Sequence, residues 1–127
     1  MPKQILATPS APNAIGPYSV AVETAGLVFL SGQVGADPAT GERGPDDIEL
    51  QTRQVLDNIG AILGDVGLDH SDIVKTTVFL ADMADYPVVN QVYAGYFGGA
   101  APARSAVAVA ALPGGYLIEI EVVAARR

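Results

Sequence analysis

Between Tyr86 and Ile118 the chain carries one charged side chain, Arg104, in the segment Pro102-Ala103-Arg104-Ser105-Ala106-Val107. Residues 107–112 are apolar and read as a buried strand that stops at Pro113-Gly114-Gly115. A guanidinium beside such a strand is costly unless an acid or a bound anion neutralises it. The next charged residue, Glu119, lies in residues 117–123, a second strand that a short glycine turn is expected to fold back antiparallel on the first. Arg104 and Glu119 are therefore expected to face one cavity. Two chemistries fit this pair. Arg104 can bridge to Glu119 or Glu121 and hold two strands in register, or its planar fork can grip the carboxylate of a small organic acid, a task for which lysine is less suited. Residue chemistry alone does not choose between them.

The elements that must position these groups follow from periodicity. Residues 18–23 alternate, Ala25-Gly26 offers a turn, and residues 27–31 form a more apolar strand, so this region reads as a hairpin. It ends at Ser31-Gly32-Gln33, where a glycine permits close backbone approach to a neighbour or ligand. Asp46 or Asp47 can cap a helix whose apolar residues Ile48, Val55, Leu56, Ile59, Ile62, Leu63 and Val66 recur at helical spacing, with Gly67 as its stop. Gly60 and Gly64 weaken that helix unless they let a sheet approach closely. His70, among aspartates in a connector, reads as solvated and receives no role. Residues 73–80 form a β-branched strand. Asp85 and Pro87 start a second helix closed by Gly98-Gly99, whose aromatic residues read as core. Asn90 sits among them, either as a solvent-facing or capping amide or as a side chain aimed at a pocket.

The predicted order is β-β-β-α-β-α-β-β, an α+β arrangement in one domain spanning 1–127. Two helices cover only one face of a sheet, yet the strands around Val107 and Ile118 carry apolar residues at both alternating positions. The uncovered face predicts a symmetric homo-oligomer. Half of the 127 residues are hydrophobic, enough for a substantial core, and no segment is uniformly apolar over bilayer length. The expectation is a soluble, cytoplasmic protein that spans no membrane. With no cysteine and a single histidine there is no thiolate nucleophile and no Cys- or polyhistidine-bound metal. A net charge of −7, with lysine only at Lys3 and Lys75, argues against nucleic acid as the main partner.

Taken together, these residues resemble the RidA (YjgF) family of imine/enamine deaminases, also described as L-PSP endoribonuclease-like proteins. The resemblance covers nearly the whole chain. It is carried by Gly16-Pro17-Tyr18-Ser19, Ser31-Gly32-Gln33, Asp57-Asn58, residues 74–80, Val89-Asn90, Pro102-Ala103-Arg104-Ser105, Ile118-Glu119-Ile120-Glu121 and Arg126-Arg127. What it implies is a chorismate-mutase-like fold, a mixed sheet with two helices packed on one face, assembled as a homotrimer with a central barrel and sites in clefts between subunits. The implied activity is hydrolysis of 2-imino acids such as 2-iminobutanoate and 2-iminopropanoate to 2-keto acids and ammonia. Such imines are released by PLP enzymes and damage other PLP enzymes.

Carried over to this chain, the resemblance makes Arg104 the carboxylate anchor, assisted by the backbone N–H of Gly32. Glu119 holds and polarises the attacking water, Tyr18 and Ser31 line the pocket and order that water, and Asn90 sits at its edge. No cofactor is implied. This chain has Ala106 where many members carry Cys or Thr, a change that is neutral if the position contributes only its backbone carbonyl and that alters rate or substrate choice if its side chain tunes the pocket. Residues 97–102 are short and rich in Gly and Ala, which predicts an open pocket rim. The alternatives are an endoribonuclease or translation inhibitor, against which the acidic charge counts, and a non-catalytic metabolite binder or chaperone-like protein, which needs Arg104 but not Glu119.

Overall fold

The computed structural model describes residues 2–12 and 14–127. Its elements run β1 (Gln4–Ile5), β2 (Ala21–Thr24), β3 (Leu27–Val34), α1 (Ile48–Asp65), β4 (Ile73–Leu80), α2 (Tyr86–Phe97), β5 (Ala103–Ala108) and β6 (Ile118–Ala125), the order expected from the sequence. The strands form one six-stranded sheet ordered β1-β2-β3-β6-β4-β5. Every pairing is antiparallel except that of β4 with β5. The β2–β3 hairpin turns at Ala25 and Gly26, whose φ values of 53° and 77° are the left-handed pair that a tight two-residue turn requires.

The expected hairpin between residues 107–112 and 117–123 does not form. Strand β5 begins at Ala103, and α2 supplies the long crossover that lets it run parallel to β4, with Thr76 opposite Arg104 and Val78 opposite Ala106. Residues 109–117 then carry the chain back across the sheet, so that β6 inserts between β3 and β4. The apolar run after Arg104 is not buried strand: Val107 is 43% exposed on the free edge. Strand β6, by contrast, is central and covered on one face, with Ile118, Ile120, Val122 and Ala124 buried.

The core lies between that face and the helices. Val55, Leu56, Ile59, Ile62 and Leu63 of α1 and Val89, Val92 and Tyr93 of α2 pack over it. Each such aliphatic side chain contributes about 1.5–3 kcal/mol on leaving water. Helix α1 is capped by Asp47, whose carboxylate accepts from the Leu50 N–H. It also reaches into the sheet through two buried amides. Gln51 accepts the Leu117 N–H at 2.9 Å and so fixes the entry to β6. Asn58 donates to the carbonyls of Val34 and Ala36 and so fixes the exit from β3.

Two local expectations change. His70 is half-buried rather than solvated: its Nε2 lies 2.8 Å from the Leu56 carbonyl, and its ring meets Tyr96 and Phe97 edge-on. Gly60 makes room for that ring, not for a strand, since a Cβ there would lie 2.5 Å from His70 Cε1. The opposite face of the sheet carries no helix among the described residues. It presents Phe29, 40% exposed, and Val107 beside the polar side chains of Lys75, Thr77 and Glu121. No helix among the described residues is long and apolar enough to cross a membrane.

Candidate active site

Arg104 leaves the edge strand β5 on the helix-covered face. Its register partner Thr76 is buried there, with its hydroxyl 2.7 Å from the Tyr93 hydroxyl. The guanidinium donates from Nη2 to the Tyr86 hydroxyl at 2.9 Å, and its Cζ lies 4.8 Å from the centre of the Tyr93 ring and 5.4 Å from that of Tyr86. Burial raises the Tyr93 phenol above its ordinary value, against the smaller opposing effects of Thr76 and Arg104, so that ring meets the cation uncharged. Asn90 lines the same cavity of about 400 Å³ as Arg104. The Asn90 Oδ1 atom is buried without a hydrogen-bond donor.

What Arg104 lacks is an acid. Arg43 pairs with Asp46, Arg53 with Glu49, Arg126 with Glu23, and Arg127 with Asp69 and Asp72. Among the described residues Arg104 pairs with no carboxylate, which removes the reading in which it bridges to Glu119 or Glu121 within one chain.

Glu119 belongs to the other face. It lies opposite Phe79 of β4 and Val34 of β3, while its neighbours Ile118 and Ile120 point into the core. The ladder between β3 and β6 slips between Leu30 and Gln33, and this irregularity places Gly32 directly beneath the Glu119 carboxylate. A Cβ on Gly32 would lie 2.1 Å from Glu119 Oε2, so only glycine admits the observed placement. Ser31 donates its hydroxyl to the Ser19 carbonyl at 2.6 Å, tying the bulge to the segment that bears Tyr18. Tyr18, Ser31, Gly32 and Glu119 line one cavity of about 720 Å³, which Tyr116 and Pro113 also line. Burial, and secondarily the like charge of Glu121, raises the Glu119 carboxyl above its ordinary value.

The residues singled out in the sequence thus fall into two groups on opposite faces. Tyr18, Ser31, Gly32 and Glu119 gather on the open face. Arg104 and Asn90 gather beneath α2, with Ala106 two residues along β5 on the same side and packed on the core. The expectation that Arg104 and Glu119 share a cavity fails within one chain. Strand β4 separates them, their register partners Thr76 and Phe79 are three residues apart, and their side chains point away from each other, which leaves more than about 10 Å between their backbones. Of the two aromatic neighbours of Arg104, sequence reasoning assigned Tyr93 only to the core and did not single out Tyr86. Their signal was present in the spacing of Tyr86, Asn90, Tyr93 and Phe97, one stripe of a helix. No group of three or more His, Cys, Asp or Glu among the described residues is arranged to hold a metal ion.

Comparison with known proteins gives this geometry a context. The family model described as Endoribonuclease L-PSP matches residues 8–126. A mouse protein named 2-iminobutanoate/2-iminopropanoate deaminase is 48% identical over 122 residues, covering 96% of this chain and 90% of its own. The crystal structure of the YjgF gene product from E. coli superposes with a TM-score of 0.89 at 47% identity, covering 98% of this chain and 99% of that one. The structure of E. coli TdcF with bound serine superposes with a TM-score of 0.89 at 42% identity, again covering 98% and 99%. A family match over almost the whole length, with near half the residues identical and the same fold, makes this chain a member of the RidA/YjgF family.

Proposed function

We propose that the protein hydrolyses small 2-imino acids and their enamine tautomers, of the 2-iminobutanoate and 2-iminopropanoate class, to 2-keto acids and ammonia. The observation that carries this reading is Arg104, a cation oriented by a hydroxyl and two aromatic faces but paired, among the described residues, with no carboxylate. Such a group retains its full charge for an anion. The mouse relative's name supplies the substrate class, and serine, bound in TdcF, bears the same α-carboxylate.

Because Arg104 and Glu119 diverge within one chain, the proposed site forms where one copy lays its β5 edge against the open sheet face of another, in a homotrimer. The exposed Phe29 and Val107 give that contact its apolar area. Arg104 of one copy then fixes the substrate carboxylate, with the Gly32 N–H of the facing copy as a second donor, and Asn90 bounds the pocket beside it. Tyr18, Ser31 and Glu119 of the facing copy hold a water at the imine carbon. The protonated imine is already electrophilic, so positioning is most of the task.

The water attacks C2 and gives up a proton to Glu119 as the C=N bond becomes a single bond. Glu119 returns that proton to the nitrogen of the carbinolamine, the C–N bond breaks with its electrons leaving on ammonia, and the remaining hydroxyl passes its proton through Glu119 to the departing ammonia, which leaves as ammonium, as its oxygen becomes the keto oxygen. A carboxyl raised by burial is matched to taking and returning one proton. The proposed cellular role is removal, in the cytoplasm, of imines released by PLP-dependent dehydratases before they reach other PLP enzymes.

The test generates 2-iminobutanoate in situ with a threonine dehydratase and follows its loss. Arg104→Ala is expected to abolish the acceleration while leaving melting temperature and oligomer intact, and Glu119→Gln to slow turnover more than it weakens 2-ketobutyrate binding. Equal acceleration by Arg104→Ala and the parent would remove Arg104 from the mechanism. RNA is disfavoured as a substrate by the net charge of −7. Cleavage of unstructured RNA that disappears with a pocket substitution would reverse that ranking.

A further inference from the structure

We infer that Tyr86 is a positioning residue, which orients the Arg104 guanidinium toward its anion without cancelling the charge; this rests on the reading of Arg104 as the carboxylate anchor. The aromatic face of Tyr93 attracts the cation but does not fix its rotation, because a π surface has no preferred in-plane direction. The bond from Nη2 to the Tyr86 hydroxyl, 2.9 Å long, supplies that direction. It uses one of the five N–H donors of the fork and leaves the rest for a ligand.

Both aromatic partners are themselves held. Tyr86 opens α2, ahead of Pro87, and packs partly against the core, while the Tyr93 hydroxyl is anchored by buried Thr76 at 2.7 Å. The buried, unpartnered Asn90 Oδ1 lies one helical turn from each of them. A carboxylate in place of Tyr86 would orient the arginine equally well, as Glu23 does for Arg126, but would occupy the charge. A hydroxyl separates orientation from neutralisation.

The experiment uses Tyr86→Phe, which removes the hydroxyl and keeps the packed ring. Steady-state kinetics on imine generated in situ, the Kd of 2-ketobutyrate by calorimetry and the melting temperature are measured for the parent, Tyr86→Phe, Arg104→Ala and the double variant. Loss of the orienting contact, at the typical net worth of one hydrogen bond, predicts that KM and Kd rise about fivefold in Tyr86→Phe, with kcat changed less than about twofold. The melting temperature should stay within about 2 °C of the parent. In the Arg104→Ala background the same change should alter Kd by less than about twofold, because its effect acts through the guanidinium. Parent-like binding by Tyr86→Phe, with binding weakened in Arg104→Ala, overturns this inference and spares the proposed function. Parent-like binding by both single variants overturns both. A parallel fall of kcat, affinity and melting temperature in Tyr86→Phe makes the residue structural and also overturns the inference.

Discussion

Replacing Gly32 by alanine perturbs the open-face half of the site and little else. The added methyl would stand 2.1 Å from Glu119 Oε2 and 2.9 Å from its Cδ, whereas ordinary contact begins at 3.4 Å. The carboxylate must therefore retreat by more than about an ångström, and a misplacement of that size costs about 100-fold in rate when the group positions a reacting water. The fold has little to lose. Gly32 does not adopt a left-handed backbone, the clash is with the end of a half-buried side chain, and no core residue is involved. Gly32→Ala should thus lower kcat for 2-iminobutanoate about 100-fold, while its melting temperature moves by less than about 4 °C, equivalent to roughly 1 kcal/mol. Coupled-assay kinetics and calorimetric melting on one preparation give both numbers. Parent-like turnover in a folded Gly32→Ala would refute the reasoning, because Glu119 could then not be the group that holds the water where this backbone places it.

Other outcomes follow from the same geometry. In the proposed mechanism Glu119 acts in its ionised form, and its pKa is raised above 4.5, so kcat/KM should rise with pH along an acid limb that lies above that value. Glu121→Gln removes the like charge that contributes to the shift and should move the limb to lower pH; a limb that stays fixed would mean that the field of Glu121 is not felt at the site. Asn58→Leu strands the part-buried carbonyl of Val34 and the buried carbonyl of Ala36. It should cost about 2 kcal/mol and lower the melting temperature by roughly 6–10 °C, and an unchanged melting curve would mean that those carbonyls find other donors.

Much of the scaffold was legible because its signals are local. The Ala25-Gly26 turn, the Asp47 cap, the apolar spacing along α1 and the β-branched run of β4 each act within a few residues, and they give the right elements in the right order. The pairing of β5 and β6 was not legible. Alternation marks a strand and its buried face but does not name its neighbour, and the crossover through α2 satisfies β5 as well as a hairpin would. That one topological difference moves Arg104 to the face opposite Glu119. The isolation of Arg104 could be read from the sequence, whereas its aromatic partners could not be told from core, because Tyr86 and Tyr93 serve as both. The contact between Gly32 and Glu119 depends on a slipped ladder across distant strands, for which no single stretch carries a signal. His70 misled because Asp69 and Ser71 on either side of it are exposed while its ring turns toward Gly60.

The central claim is that Arg104 of one copy works with Glu119 of another, and subunit mixing addresses it most directly. Arg104→Ala and Glu119→Gln are each expected to be inactive oligomers. Unfolded together in equal amounts and refolded, they form mixed assemblies in which about a quarter of the interfaces join an intact arginine to an intact glutamate. Imine hydrolysis in the mixture should therefore recover to about a quarter of the parent rate. Mixed oligomers that form, as native mass spectrometry would report, yet remain as inactive as their parents would contradict the account.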